Sequence, residues 1–264
     1  MFSVDHPEQM IRFGFKFGKG GAHAARTMML SELQRLLEVA KDEWVRDDYR
    51  TAVVEENVLD KPTLNARKFT FRHLRNLYIL DPGTCLFRIF RELWAQDRDG
   101  QPVFALQMAL TRDALLRDSV SSVLATPEGQ RFEREAIERL LSESDEGRFT
   151  AASLKSFAQN INGTWTRAGY LTGHVNKTRS HPVITPANVT FALFLGYLEG
   201  RLARRLFTSD WVRVLDLPEE RLIELTQAAA QRGLLVFRRT GSVMEVRFPD
   251  YLTEQEQEWL SEQA

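Results

Sequence analysis

The sequence predicts a mainly α protein: a helical bundle with helix-turn-helix modules that ends in a winged-helix-like hairpin. Three observations lead there. Apolar residues recur at three- and four-residue spacing through most of the chain. Cap and stop residues (Thr63, Thr150, Thr185 before Pro186, Gly233) fall where such helices would begin and end. Strand-like alternation is confined to 234–238 and 243–248, around Thr240-Gly241-Ser242.

Taken in order, 24–40 (AARTMMLSELQRLLEVA) sets Met29, Leu33, Leu36, Leu37 and Ala40 on one helical stripe. Gly18, Gly20 and Gly21 before it lack the spacing and trailing Lys-Ser/Thr of a phosphate loop and read as a flexible lead-in. A short helix at 48–58, a turn at 59–62 and a helix at 64–80 capped by Thr63 make a helix-turn-helix. Helices at 84–96, 102–111, 114–124 and 126–142, the last opened by Pro127, form a compact bundle broken at Asp99-Gly100 and 145–147. A second helix-turn-helix is expected from 150–161, a turn at Asn162-Gly163, and 164–171. The polar run 172–182 (TGHVNKTRSHP) reads as a mobile loop. A helix at 186–206 ends in Arg201, Arg204 and Arg205, which suit its dipole. Helices at 208–215 and 218–232 and the hairpin then complete the order of a winged helix. The reading divides the chain into 1–82, 83–147, 148–252 and an acidic tail, 253–264.

With 264 residues, 43% hydrophobic, and 35 Lys and Arg against 36 Asp and Glu, the chain has a folded protein's composition, not a disordered one's. Residues 1–21 hold no apolar segment of signal-peptide length, and the most apolar later stretch, 189–197, is about nine residues against the roughly 20 of a bilayer span. A single cysteine, Cys85, excludes an internal disulfide and fits a reducing, cytoplasmic setting. Cys85 lies in an apolar helical pattern, where a thiol is inert, and G-x-S-x-G, dinucleotide and P-loop fingerprints are absent. The pairs Asp47-Asp48 and Glu55-Glu56 and the cluster at 97–99 read as solvated helix ends, and His174 and His181 have no local Cys or carboxylate to complete a metal site. A non-enzymatic protein without cofactor or metal is therefore expected.

The net charge of −1 conceals segregation: −4 over 83–147, +7 over 148–213 and −5 over 214–264. Within 61–80, Lys61, Arg67, Lys68, Arg72 and Arg75 stand without an acid. Cations gathered beside a helix-turn-helix suit a phosphate backbone, because binding there depends on local charge and counterion release. The expectation is that Lys61, Arg67, Lys68, Arg72 and Arg75 engage one stretch of duplex DNA and Lys155, Arg167, Lys177 and Arg179 another. Arg72 and Arg167 are the candidates for groove insertion, and Arg238 and Arg239 beside the wing turn are candidates for the backbone. Other readings of the same residues stay open. The basic faces serve solvation alone, or the acidic regions dock protein partners, or the chain binds RNA with Trp165 and Tyr170 stacking on bases; core packing is the commoner fate of such aromatics.

Three stretches, EENVLDKPTLNARKFTFRHLRNL (55–77), NINGTWTRAGYLTG (160–173), and LFLGYLEG with LFTSDWVRVLDLP (193–200, 206–218), resemble the BrxA family of BREX phage-defence proteins. The similarity runs in matching order over most of the chain. It implies a small, non-enzymatic, all-helical component of a bacterial defence operon, with a domain similar to the antitermination factor NusB, DNA-binding helical modules, and other BREX components as partners. The acidic stretch from Thr253 (TEQEQEWLSEQA) makes the chain longer than typical members and is expected to contact a partner.

Overall fold

The amphipathic segments fold into a mainly α helical bundle with few, short antiparallel strands, in a computed structural model that describes residues 2, 7–144, 147, 149–241 and 243–262. Asp145 and Glu146 of the expected turn, Ser242 of the hairpin turn and the last two residues of the acidic tail lie outside them. The helices are α1 (Pro7–Phe13), α2 (Leu30–Val39), α3 (Arg46–Val54), α4 (Leu64–Tyr78), α5 (Cys85–Gln96), α6 (Gln101–Arg112), α7 (Ala114–Ala125), α8 (Arg134–Ser144) and α9 (Ala151–Arg167). They continue as α10 (Pro186–Leu198), α11 (Arg204–Phe207), α12 (Asp210–Arg213), α13 (Glu219–Gln231) and α14 (Glu254–Ser261). Strands β1 (Arg131–Phe132), β2 (Leu171–Thr172) and β3 (Lys177–Arg179) form an antiparallel sheet in the order β1-β3-β2, and β4 (Val236–Thr240) pairs with β5 (Val243–Arg247).

The most apolar segment becomes the central helix. In α10 every residue but Tyr197 is buried, and the helix packs against α5, α6, α11, α12 and α13. Thr185 caps it, its Oγ1 accepting the Asn188 N–H at 3.2 Å, with Pro186 in the first turn. The apolar side chains buried around it join one cluster running from Met10 to Leu252. α13 and the β4–β5 hairpin follow α10 and α12 in the chain, and Gly233, at φ +74°, stops α13. No helix among the described residues is long and apolar enough to cross a membrane.

Several local expectations are corrected, some of them by a tertiary contact. The helix expected over 24–40 begins only at Leu30: Ala22–Ala24 is a single 3-10 turn, and 22–29 run as a strap between α4 and α9. His23 in the strap bonds Asp113 and Thr164, the Met28 N–H donates to Thr164 Oγ1 at 2.8 Å, and the Tyr78 hydroxyl donates to the Met28 carbonyl. These bonds outweigh the strap's Ala-rich helix propensity, which is a weak preference. Gly21 is no flexible lead-in either, because its Cα lies so close to the Asp113 carboxylate that a Cβ would overlap it.

The second helix-turn-helix does not form, since α9 passes unbroken through Asn162 and Gly163. A Cβ at position 163 would sit 3.0 Å from Thr27 Cγ2, so the glycine admits the strap against the helix instead of making a turn. The expected mobile loop 172–182 is the β2–β3 hairpin, anchored by Arg179. Pro127 opens a turn leading into β1, and α8 starts at Arg134. Helix 186–206 stops at Leu198, so Arg204 and Arg205 belong to the separate α11. The acidic tail is a clasp: in α14, capped by Thr253, the buried Glu256 bonds Arg88 at 2.6 Å and Trp259 meets Phe13 edge-on at 5.8 Å.

Candidate nucleic-acid interface

α4 is fixed at both ends and presents one bare face. Thr63 Oγ1 accepts the Ala66 N–H at 3.1 Å, and the helix terminates where Ile79 and Leu80 both take left-handed φ values, +67° and +57°, a strained conformation held by their burial. Thr70, Phe71, His73, Leu74, Leu77 and Tyr78 face inward. Outward, at steps of four, four and three, stand Leu64, Lys68, Arg72 and Arg75, one stripe of a 3.6-residue helix.

Lys68, Arg72 and Arg75 are exposed and make no ion pair among the described residues. The Arg72 guanidinium lies 4.2 Å from the ring centre of Phe69, itself 43% exposed, which holds the cation over an aromatic face at the surface. Beneath, buried His73 packs its ring 4.8 Å from Phe69, and neither ring nitrogen has a hydrogen-bond partner. Burial, then the charges of Arg72 and Arg26, lower its pKa, so it is neutral at pH 7. Exposed Arg26, whose charge acts on His73 from the strap that packs against α4, is a cation the sequence reading missed. No periodicity pointed to it, since it comes from the strap that was expected to be helical.

The other candidates separate into distinct environments. Lys61 bonds Glu32 at 3.0 Å, and Arg67 turns inward to the Val54 and Glu55 carbonyls at 3.3 and 3.5 Å, capping the end of α3. Lys155 and Arg167 are both exposed on α9 but twelve residues apart, about 18 Å along the axis and a third of a turn out of phase. Lys177 is half-buried, its Nζ donating to the Gly173 carbonyl at 2.7 Å. Arg179 is a correction: it is 2% exposed, donates to the Val123 carbonyl at 3.1 Å and the Tyr170 carbonyl at 3.2 Å, and pairs with Asp216. Its charge is enclosed and cannot meet a phosphate. Of the remaining cations behind the +7 segment, Arg201 pairs with Glu199 and Arg213 with Asp210.

On the β4–β5 hairpin, exposed Arg238 stands opposite Glu245 in the strand register, and Glu245 pairs with Arg247 at 2.5 Å. Arg239 lines a cleft with Glu219, Glu220 and Glu224 of α13. Trp165 and Tyr170 are fully buried, with the Trp165 Nε1–H donating to Ser119 Oγ at 2.8 Å and the Tyr170 hydroxyl to the Val214 carbonyl at 2.6 Å, so neither is presented for base stacking.

Two further arrangements bear on chemistry. Asp113, His23 and Thr164 form a carboxylate–imidazole–hydroxyl series, with contacts of 2.9 and 2.8 Å, but all three are fully buried and the hydroxyl also accepts the Met28 N–H. The series is a structural bolt that no substrate reaches. Burial pushes the Cys85 thiol up to about 12, which removes it as a nucleophile at neutral pH. Among the described residues no group of three or more His, Cys, Asp or Glu is placed to hold a metal ion. In comparisons with known proteins, no family model and no curated sequence matches this chain.

Proposed function

We propose that the chain is a non-enzymatic accessory protein that binds double-stranded DNA through the outward face of α4, in a BREX-type phage-defence system. One observation carries the binding part: Lys68, Arg72 and Arg75 are exposed on one face of α4 and have no carboxylate partner among the described residues, whereas Arg35, Arg50, Lys61, Arg88 and Arg91 elsewhere in the chain are paired. Unpaired cations on one helix face give strong phosphate contact, because no protein ion pair has to be broken first. The defence setting rests on the three resembling stretches alone.

The test is fluorescence anisotropy of the full chain with labelled duplex DNA, single-stranded DNA and RNA. Duplex binding is expected to fall by about 100-fold or more in Lys68→Glu/Arg72→Glu/Arg75→Glu, since three phosphate contacts become repulsive. Unchanged duplex affinity in a variant with native circular dichroism overturns the reading. RNA bound more tightly than duplex makes the partner an RNA.

A second reading concerns the C-terminal module. α13, the helix that would enter a groove in a winged helix, exposes Glu219, Glu220 and Glu224 beside the wing. That face repels a phosphate backbone and suits a basic protein partner.

A further inference from the structure

A groove of about 340 Å³ opens where the end of α10 and the loop after it meet α14 and the turn before it. Tyr197, Leu202, Phe248, Leu252 and Leu260 give it an apolar lining. We propose that this groove docks a basic amphipathic segment of a protein partner, with apolar residues in the groove and Lys or Arg against the carboxylates of α14.

The apolar half of the argument rests on Leu202. It is 61% exposed and stands over Phe248 and Leu252, which are buried members of the core, so the apolar cluster reaches the surface here. The loop that carries Leu202 is turned on either side of it, by Gly200 at φ +78° and by Ala203 at φ +50°. The second value is costly for alanine, and backbone strain of this kind gathers at binding surfaces.

Charge decides the occupant. Residues 248–262 hold five acids, Asp250, Glu254, Glu256, Glu258 and Glu262, and no Lys or Arg. Glu256 bonds Arg88 and Glu262 bonds Arg12, which leaves Asp250, Glu254 and Glu258 exposed and without an ion pair among the described residues. Ser261 lines the groove, and Glu254, seven residues earlier, lies on the same stripe of α14, with Glu258 on the adjoining row. On the loop, Arg201 is paired with Glu199. A carboxylate rim beside an apolar floor repels nucleic acid and an anionic lipid surface. It complements a segment whose apolar residues recur at helical spacing between cations, the pattern of a helix laid in a groove.

The probes are two labelled peptides with leucine at i, i+3, i+4 and i+7, one carrying lysine at its other positions and one glutamate, titrated with the full chain by fluorescence anisotropy. The lysine peptide is expected to bind and the glutamate peptide to stay free. Leu202→Asp and Glu254→Gln/Glu258→Gln, all at exposed positions, should each weaken lysine-peptide binding about tenfold with native circular dichroism. Arg204→Gln/Arg205→Gln, on neighbouring α11, should leave it within about twofold. No lysine-peptide binding at about 1 mM, binding that survives Leu202→Asp, or binding weakened by the arginine changes in place of the glutamate changes overturns the proposal. Self-association of the chain in analytical ultracentrifugation that Leu202→Asp abolishes gives the groove to a second copy, and overturns it too. Duplex affinity, which the α4 reading assigns to Lys68, Arg72 and Arg75, should be unchanged in these variants, so the two proposals stand or fall separately.

Discussion

His23 Nδ1 lies 2.9 Å from Asp113 Oδ2 with both side chains fully buried, and the same carboxylate accepts the N–H groups of His23 and Leu116. One aspartate thus caps α7 and fastens the strap. Burial alone raises its pKa, but the charge and hydrogen bonds of His23, with the Leu116 N–H, outweigh this and leave the carboxyl below the usual range. A depressed acid contributes stability that is complete above the unfolded value, about 4, and is lost as pH falls through the folded value. His73, a base with a lowered pKa, acts in the same direction at higher pH, because below about 6.5 the unfolded chain takes up its proton first. Acid denaturation is therefore expected in two stages, read as Tm against pH, with His73→Leu removing the upper stage. Asp113→Asn, which breaks a buried pair, should cost about 3 kcal/mol at pH 7.

Arg179→Met tests the reassigned arginine. If Arg179 is a hairpin anchor, the substitution leaves Asp216 and the Val123 and Tyr170 carbonyls without their donor and lowers stability by about 3 kcal/mol in urea unfolding. A folded variant that has lost DNA affinity at unchanged stability would show instead that the side chain works at a phosphate.

The β4–β5 hairpin gives a contrast. Arg238→Glu/Arg239→Glu is expected to change duplex affinity less than about threefold, since both positions already neighbour carboxylates. The slope of log affinity against log salt should likewise stay that of the parent chain, while Lys68→Glu alone lowers it by about one unit.

Gly21→Ala probes the seam from the other side. The added methyl overlaps the Asp113 carboxylate, a group fixed by three hydrogen bonds, so the strap must shift. A loss of about 1–3 kcal/mol in thermal or urea unfolding is expected. Gly18→Ala, which meets open space, is the control and should be near neutral.

Where local pattern decides structure, the sequence was readable: Thr63 and Thr185 cap as their position foretold, α10 is the central helix, and β4 and β5 pair as a hairpin, β4 starting two residues later than the alternation from 234 suggested. It was unreadable where distant partners decide. Asn162-Gly163 is a turn signal in isolation and a packing notch once Thr27 lies against it. Arg179 sits in a polar, acid-free run, and the partners that account for its burial, Val123, Tyr170 and Asp216, all lie outside that run. For the interface, the α4 stripe was legible because helical spacing alone defines it. Arg26 was not, and Arg67 was misplaced by a single step around the helix, enough to turn it toward the carbonyls of α3.

The strap also bears on how the chain reaches this structure. Its anchors lie 90 and 141 residues downstream, at Asp113 and Thr164, so its loops close only at a large entropic cost. Contacts of such sequence separation form after local helices and slow the overall rate. Until those partners are in place, nothing downstream holds residues 22–29 between α4 and α9, so docking of the strap is expected to be a late event of refolding.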